Sequence, residues 1–252
     1  SLRIEALANS DRGDQGRSGM RPLSEMLARI PKRRRFHRRS SIRRVSTETL
    51  ERRLLLTFDP SPLEQEMLEL LNRFRDNPQA ELDELLSSHP TPLTARDDDV
   101  QAAIDFFNVD GPALESQFAG LSPAPPLAWN EALYDAAGNH NDLMIQFDQQ
   151  SHQLPGEAGL LDRDVAAGYN WEFSVRVGEN IFAYSQSVIY GHAAFAIDWG
   201  FGPNGIQEPA GHRINMLDQG FQEVGISIVE ESNPATLVGP LVISQEFGRR
   251  GN

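Results

Sequence analysis

Gly178-Glu179-Asn180 and Gly211-His212-Arg213-Ile214-Asn215-Met216-Leu217 are the two segments on which the interpretation of this 252-residue chain depends. Each places an ionisable side chain next to glycine, and a third segment, Ser151-His152, adds a second imidazole. Two imidazoles and a carboxylate are ligand types that suit Zn²⁺ and similar divalent metal ions. If the fold brings the three segments together, they form a polar pocket that binds a metal ion or transfers a proton. If it does not, they are unrelated surface features.

Charge divides the chain into two parts. Residues 1–56 contain 15 Lys/Arg and 6 Asp/Glu, a balance of +9, whereas residues 57–252 contain 8 Lys/Arg and 30 Asp/Glu, a balance of −22. The acidic part would repel a phosphate backbone, so we expect no nucleic-acid partner for the folded domain. The chain has no cysteine, which excludes disulfides and thiol chemistry. It also has no run of about 20 apolar residues, so we expect no transmembrane segment.

Residues 1–57 are predicted to be a disordered basic region. Like-charge clusters such as Lys32-Arg33-Arg34-Arg35 have few apolar residues to bury. The run Leu54-Leu55-Leu56 follows the basic block, and the combination resembles an unusual leader of exported bacterial proteins. Because this run is shorter than an ordinary secretory apolar region, a frayed basic tail is the alternative. We assign residues 1–57 to a probable export leader and residues 58–252 to one folded domain.

The periodicity of residues 58–252 predicts an α+β fold. Ser61-Pro62-Leu63-Glu64 has the pattern of a capping box with proline at the first helical position, and a second amphipathic helix follows Asn130. We further predict a short helix at 100–107, a strand at 173–183, a helix at 188–199 and a hairpin over 224–247, with loops at 86–100 and 151–170. This mixed order favours helices packed on a small antiparallel sheet.

The candidate site residues have structural as well as functional interpretations. Glu179 lies in a predicted strand, where a carboxylate is costly to bury unless it is paired or bound to a cation; it is a metal ligand, a proton acceptor, or an acceptor of backbone N–H bonds. His212 either binds a metal or bonds local carbonyl groups. His152 alone is typical of a surface histidine. Asp198 is a further carboxylate, and Trp199 is expected in the core or a pocket wall.

Other polar residues are expected to lie outside the site. His140 falls on the apolar stripe of the helix after Asn130, which favours a hydrogen-bonded core histidine. His192 has no evident partner in the sequence, and Glu157 and Glu208 are expected to be solvated loop charges.

A series of short motifs runs in a fixed order along the folded region. They are Leu127-Ala128-Trp129-Asn130, Ser151-His152, Gly168-Tyr169-Asn170-Trp171, Gly178-Glu179-Asn180, Asp198-Trp199, Gly211-His212-Arg213 and Gln245-Glu246-Phe247. The series resembles the bacterial branch of the CAP superfamily, whose domain is also called the SCP domain (cysteine-rich secretory proteins, antigen 5 and plant pathogenesis-related proteins). The resemblance covers roughly residues 62–248. It implies an α-β-α sandwich, with a small, mainly antiparallel sheet between helical layers and a central cavity.

The resemblance also implies a set of cavity residues. Family members often carry two histidines and two acids there, and some bind a divalent metal ion. The matching positions in this chain are His152, Glu179 and His212. The second acid of many eukaryotic members corresponds to Gly202, so Asp198 or water would have to supply a fourth ligand.

Three functions remain open from the sequence. The first is a secreted or cell-envelope bacterial CAP domain that binds a small ligand, lipid or protein partner without catalysis. The alternative is a peptidase-like hydrolase in which His152 and His212 hold one divalent ion, Zn²⁺ or similar, and Glu179 is the general base. In the third, the three side chains form a structural hydrogen-bond network. Motifs of the common hydrolase classes are missing, and the sequence does not decide whether the protein is an enzyme.

Overall fold

A computed structural model describes residues 59–169 and 176–249. The proposed leader over residues 1–57, residues 173–175 of the predicted strand, and Trp171 lie outside these ranges. The described helices are α1 (Pro62–Asp76), α2 (Glu81–Leu85), α3 (Asp98–Phe107), α4 (Gly111–Ala119), α5 (Glu131–Phe147), α6 (Leu160–Ala166), α7 (Val188–Ile197) and α8 (Gly211–Leu217). The described strands are β1 (Leu86–Ser88), β2 (Thr94–Ala95), β3 (Ala128–Trp129), β4 (Arg176–Ser185), β5 (Glu223–Glu230) and β6 (Leu241–Arg249).

The central sheet has four strands in the order β3-β5-β6-β4. β6 pairs antiparallel with β4 and with β5, and the short β3 pairs parallel with β5. β1 and β2 form a separate antiparallel pair. Helix α5 packs on β5 and β6, while α1, α7 and α8 pack on β4, β5 and one another. This arrangement confirms the predicted α+β class and the α-β-α sandwich.

The alternation of residues along β5 separates two cores, because successive side chains of a strand point to opposite faces. Val224, Ile226 and Ile228 join the larger core with residues of α1, α3, α4 and α7. Gly225 faces α5, whose backbone approaches it closely. A smaller apolar cluster lies on this second face and consists of Met144, Leu154, Ile181, Ala183, Val238 and Val242.

The two strongest sequence signals begin helices where expected. The Ser61 side chain accepts a hydrogen bond from the Glu64 backbone N–H, and the Glu64 carboxylate accepts one from the Ser61 N–H at 2.7 Å, which completes the capping box. Asn130 caps α5 by accepting from the Leu133 N–H at 3.1 Å. The predicted helix at 188–199 ends at Ile197, because Asp198 adopts a left-handed conformation with φ of 59°.

Two segments predicted to be loops contain regular structure, so those predictions were wrong. Residues 86–100 include β1, β2 and the start of α3, and residues 151–170 include α6. Helix α6 has seven residues and no side-chain cap at its N-terminus. Its buried residues, Arg163 and Asp164, are charged, so α6 carries no apolar periodicity by which a sequence pattern could identify it.

None of the described helices is both long enough and apolar enough to cross a lipid bilayer.

Gly225 provides a test of the close packing between α5 and the sheet. A Cβ atom at this position would lie 2.0 Å from the Tyr134 backbone nitrogen and 2.1 Å from the Leu133 carbonyl carbon. Gly225→Ala is therefore expected to lower the free energy of unfolding by roughly 3 kcal/mol, measured by urea denaturation. Gly159→Ala is the control, because its Cβ would meet nothing within 4 Å. Equal stabilities of the two variants would contradict the packing described.

Candidate functional site

Glu179 is buried on the α5 face of the sheet with both carboxylate oxygens engaged. Oε1 lies 2.6 Å from His152 Nδ1, and Oε2 accepts a hydrogen bond from the Arg163 guanidinium. Oε2 also lies 3.6 Å from His140 Nε2. The structure therefore brings His152 and Glu179 together, and it adds an arginine that the sequence analysis did not select.

Arg163 is the centre of a charged cluster between α6 and the sheet. Its Nη2 lies 3.1 Å from Glu246 Oε1, and its Nη1 lies 3.4 Å from Glu157 Oε1 and donates to the His152 carbonyl oxygen at 3.1 Å. We call this group the Arg163 cluster; it comprises His140, His152, Glu157, Arg163, Asp164, Glu179 and Glu246.

Glu157 and His140 test two expectations about this region. Glu157 was expected to be a solvated loop charge, which is wrong: its side chain is buried, accepts from the Leu154 N–H at 2.9 Å and lies 2.7 Å from His140 Nδ1. His140 is fully buried and hydrogen-bonded, as its place on the apolar stripe predicted. Burial lowers the pKa of His140 against the opposing bond to Glu157, which favours the neutral ring.

Two carboxyl groups of the cluster are shifted towards their protonated forms. Burial raises the pKa of Asp164 to about 7, although the charge of Arg163 opposes the shift. Burial, reinforced by the charge of Asp164, raises the pKa of Glu246 well above its usual range. Both oxygens of Asp164 and Oε2 of Glu246 are buried without a hydrogen-bond partner. The two shifts have a common cause, since a single guanidinium cannot balance four buried carboxylates.

His212 lies on the opposite face of the sheet. Asn180, the residue after Glu179 in β4, donates from Nδ2 to the His212 carbonyl oxygen at 3.1 Å and to Gln245 Oε1 at 3.1 Å. Because neighbouring residues of a strand point to opposite faces, the Glu179 side chain points away from His212. The backbone of β4 separates the two.

Asp198 fixes the orientation of the His212 ring. Its Oδ1 lies 2.8 Å from His212 Nδ1, and its Oδ2 accepts from the His212 backbone N–H at 3.0 Å. Asp198 is fully buried directly after α7. Since a carboxylate accepts, Nδ1 carries the proton of the neutral ring, and Nε2 becomes an acceptor.

The convergence expected for His152, Glu179 and His212 does not occur. The first two residues meet in the Arg163 cluster, whereas His212 pairs with Asp198 on the other face. Within residues 59–169 and 176–249, no three His, Asp or Glu side chains are placed to hold a metal ion. This donor set does not fit a divalent ion, since a guanidinium occupies one oxygen of Glu179. Metal binding remains a prediction for titration to test.

His212 instead borders an open groove of about 1040 Å³ between α3, α7, the end of β4 and the loop at 199–210. We call it the aromatic groove. Trp199, expected in a core or pocket wall, forms part of its wall and is 5% exposed. The Trp199 ring centroid lies 5.3 Å from that of Tyr190, and the Phe195 centroid lies 5.1 Å from the His212 ring. Contacting aromatic side chains thus form the base of the groove, and the His212 imidazole lies at its edge.

Three phenylalanines form the outer part of the groove. The Phe201 ring centroid lies 6.1 Å from that of Phe106 and 5.1 Å from that of Phe107, both in edge-to-face geometry. Phe201 is 91% exposed and Phe106 is 66% exposed. A contiguous exposed apolar patch of this kind marks an interaction site more often than a scattered exposed residue does.

The sequence analysis missed Arg163, Phe106 and Phe201. Arg163 lies in a segment without apolar periodicity, and the phenylalanines are distant in sequence, so only the fold places them in contact. His192 lies outside the candidate site, as expected, and is buried with Nε2 2.8 Å from Glu81 Oε1, a partner that is distant in sequence. Glu208, as expected, is exposed.

The raised pKa of Asp164 can be tested by the pH dependence of stability. Its pKa is about 7 in the folded protein against a usual value of 3.8, so between these pH values the folded state retains a proton that the unfolded chain has released. The free energy of unfolding of the parent protein is then expected to fall as pH rises through this window. In Asp164→Asn this decrease should be smaller by about 2 kcal/mol. Urea denaturation at pH 4.5 and pH 7.5 measures the difference.

Asp162→Asn is the matched control, because Asp162 lies on the same helix and is exposed. If the Asp164→Asn and Asp162→Asn proteins show the same pH dependence as the parent protein, Asp164 does not hold a proton in the folded state.

Comparisons with known proteins identify the family. The sequence model of the CAP family, described as the cysteine-rich secretory protein family, matches residues 68–247, which is more than half of the chain. No curated protein sequence matches the chain.

Several solved structures are similar in fold. An extracellular protein containing a SCP domain from Bacillus anthracis str. Ames is 23% identical, with a TM-score of 0.39, over 65% of this chain and 45% of that chain. An outer surface protein from Borrelia burgdorferi is 13% identical, with a TM-score of 0.37, over 61% of this chain and 93% of that one. Venom allergen-like protein 4 from Schistosoma mansoni is 12% identical, with a TM-score of 0.40, over 77% of this chain and 92% of that one. The chain thus spans less than half of the Bacillus protein. The assignment to a family depends on the match to the family model alone. On that match, this chain belongs to the CAP, or cysteine-rich secretory protein, family.

Proposed function

We propose that this CAP domain is a non-catalytic binding module and that the aromatic groove is its ligand-binding surface. The observation that carries the proposal is the cluster of exposed Phe106 and Phe201 with half-buried Phe107, beside a groove of about 1040 Å³. Ligand sites are concave and mostly apolar, with a few polar groups that orient the ligand. Here the polar group is His212, which Asp198 holds in one tautomer.

We also infer that the protein is exported to the cell envelope or the medium. Two features support this inference. The first is the basic N-terminal region with its run Leu54-Leu55-Leu56, which resembles a leader. The second is membership of a family described as secretory.

The geometry favours binding over the hydrolase alternative. A general base needs a carboxylate oxygen that can accept a proton from water. In Glu179 one oxygen faces His152 and the other accepts from Arg163, and the side chain is 3% exposed. The two histidines that would hold the metal ion lie on opposite faces of the sheet.

Titration of the purified protein with Zn²⁺ separates the two functions. Because the donor atoms are divided between two faces, we expect calorimetry to show no stoichiometric binding and a Kd weaker than about 1 mM. His152→Ala should leave this heat signal unchanged. A one-to-one site that is lost in both His152→Ala and His212→Ala would support the metal-assisted hydrolase instead.

Phe201→Ala tests the aromatic groove as the binding surface. The neutral dye Nile red is the probe, because its fluorescence rises in an apolar site and its affinity does not depend on charge. Loss of the most exposed ring should weaken its binding about fivefold.

The control for this variant is Leu237→Ala. Leu237 is 77% exposed, lies in the connection between β5 and β6, and does not line the groove. Equal dye affinities of the two variants, or a parent protein that does not bind the dye, would refute the aromatic groove as the binding surface.

A further inference from the structure

The aromatic groove is lined by two exposed carboxylates, Asp99 and Glu208. Within residues 59–169 and 176–249, no arginine or lysine lines it. The closest basic residue in sequence to its His212 edge is Arg213, which is 3% exposed and donates to Gln117 and to the Ile197 carbonyl oxygen. In the part of the chain that the structure describes, a ligand in the groove therefore meets carboxylates and no exposed guanidinium or ammonium group.

One wall of the groove is a single face of helix α3. Asp99, Ala102, Ala103 and Phe106 line the groove, and their spacing of three, four and seven residues places them on one side of a helix. The wall thus combines a carboxylate, two small residues and an exposed aromatic ring. The alanines leave room for a ligand to lie along the helix between the charge and the ring.

The loop after α7 contributes the same residue types to the groove. Phe201 and Glu208 both line the groove there. The Phe201 ring contacts Phe106 and Phe107, which joins the loop to the first wall. The groove therefore combines exposed aromatic rings with carboxylates, the residue types that favour guanidinium and ammonium groups.

Two of the three glutamine side chains that line the groove add further acceptors. Gln186 donates from Nε2 to the Tyr184 carbonyl oxygen, and Gln207 donates from Nε2 to the Trp199 carbonyl oxygen, each at 3.4 Å. Each amide thus directs its N–H₂ group to the protein and leaves Oε1 as an acceptor. His212 Nε2 is also an acceptor in the tautomer that Asp198 selects. An arginine side chain, with five N–H donors and no acceptor, matches this set.

We propose that the aromatic groove binds a segment of a partner polypeptide in which arginine alternates with apolar residues. This inference rests on the proposed function, because it identifies the ligand of the same groove. The volume of about 1040 Å³ is at the upper end of the range for small-molecule sites and leaves room for several residues. The balance of −22 over residues 57–252 would also steer a basic partner towards the domain.

Three capped, fluorescein-labelled hexapeptides test the proposal by fluorescence anisotropy with the full chain. One alternates arginine with leucine, the second replaces arginine with the neutral isostere citrulline, and the third replaces it with glutamate. We expect the arginine peptide to bind about tenfold more tightly than the citrulline peptide and the glutamate peptide not to bind. The preference should decrease as salt is added.

The double variant Asp99→Asn/Glu208→Gln locates the preference in the groove and should reduce it to about twofold. Glu66→Gln/Glu69→Gln is the matched control, because it removes the same two charges from exposed positions of α1 outside the groove. This control should retain the tenfold preference.

The outcomes separate this proposal from the proposed function. If the three peptides bind equally, if the glutamate peptide binds best, or if the preference persists in Asp99→Asn/Glu208→Gln, the arginine ligand is wrong. Nile red binding that depends on Phe201 would still support the groove as a binding surface. Failure of both the peptides and the dye to bind would overturn both proposals.

Discussion

The two-residue period of strand β4 is the constraint on which the rest of this structure depends. Glu179 and Asn180 are adjacent, yet one side chain points to α5 and the other to α8. The strand pairs in regular register with β6 through this segment, where Glu179 lies opposite Glu246 and Asn180 opposite Gln245. Because neighbouring residues of a strand point to opposite faces, the candidate site residues selected from the sequence separate into two sites. One is the buried Arg163 cluster, and the other is the exposed groove beside His212.

The Arg163 cluster has the features of a structural ion-pair network. Ionised groups are costly to bury unless they are paired and hydrogen-bonded, and here one guanidinium contacts Glu179, Glu246 and Glu157. The raised pKa values of the Asp164 and Glu246 carboxyl groups reduce the remaining negative charge of the cluster. The cluster holds the seven-residue helix α6 against the sheet, because the buried residues of α6 are the charged Arg163 and Asp164. Of the structural network that the sequence suggested for His152, Glu179 and His212, only the contact between His152 and Glu179 is present.

Much of the fold could be predicted from the sequence, because its main elements carry local signals. The capping box at Ser61, the cap at Asn130 and the alternation of apolar residues in β5 are properties of neighbouring residues, and each produced the expected element. The site could be predicted only in part. Spacing and family resemblance selected His152, Glu179 and His212, but the face on which each side chain lies depends on strand register and on partners such as Arg163. The contacts among the exposed phenylalanines arise only when the loop after α7 folds back on α3.

The two faces of the central sheet have different roles: the α5 face supports the fold, and the α7 face is the proposed binding surface. The α5 face contains buried charged groups gathered around Arg163. The α7 face presents aromatic rings, acceptors and two exposed carboxylates, and within the described residues no arginine or lysine lines the groove beside them. Mapping of amide chemical shifts in ¹⁵N-labelled protein during Nile red titration tests this division most directly. The account predicts shifts at Ala102, Phe201 and His212, and none at His152 or Glu179. Shifts centred on His152 and Glu179, with the groove unaffected, would contradict it.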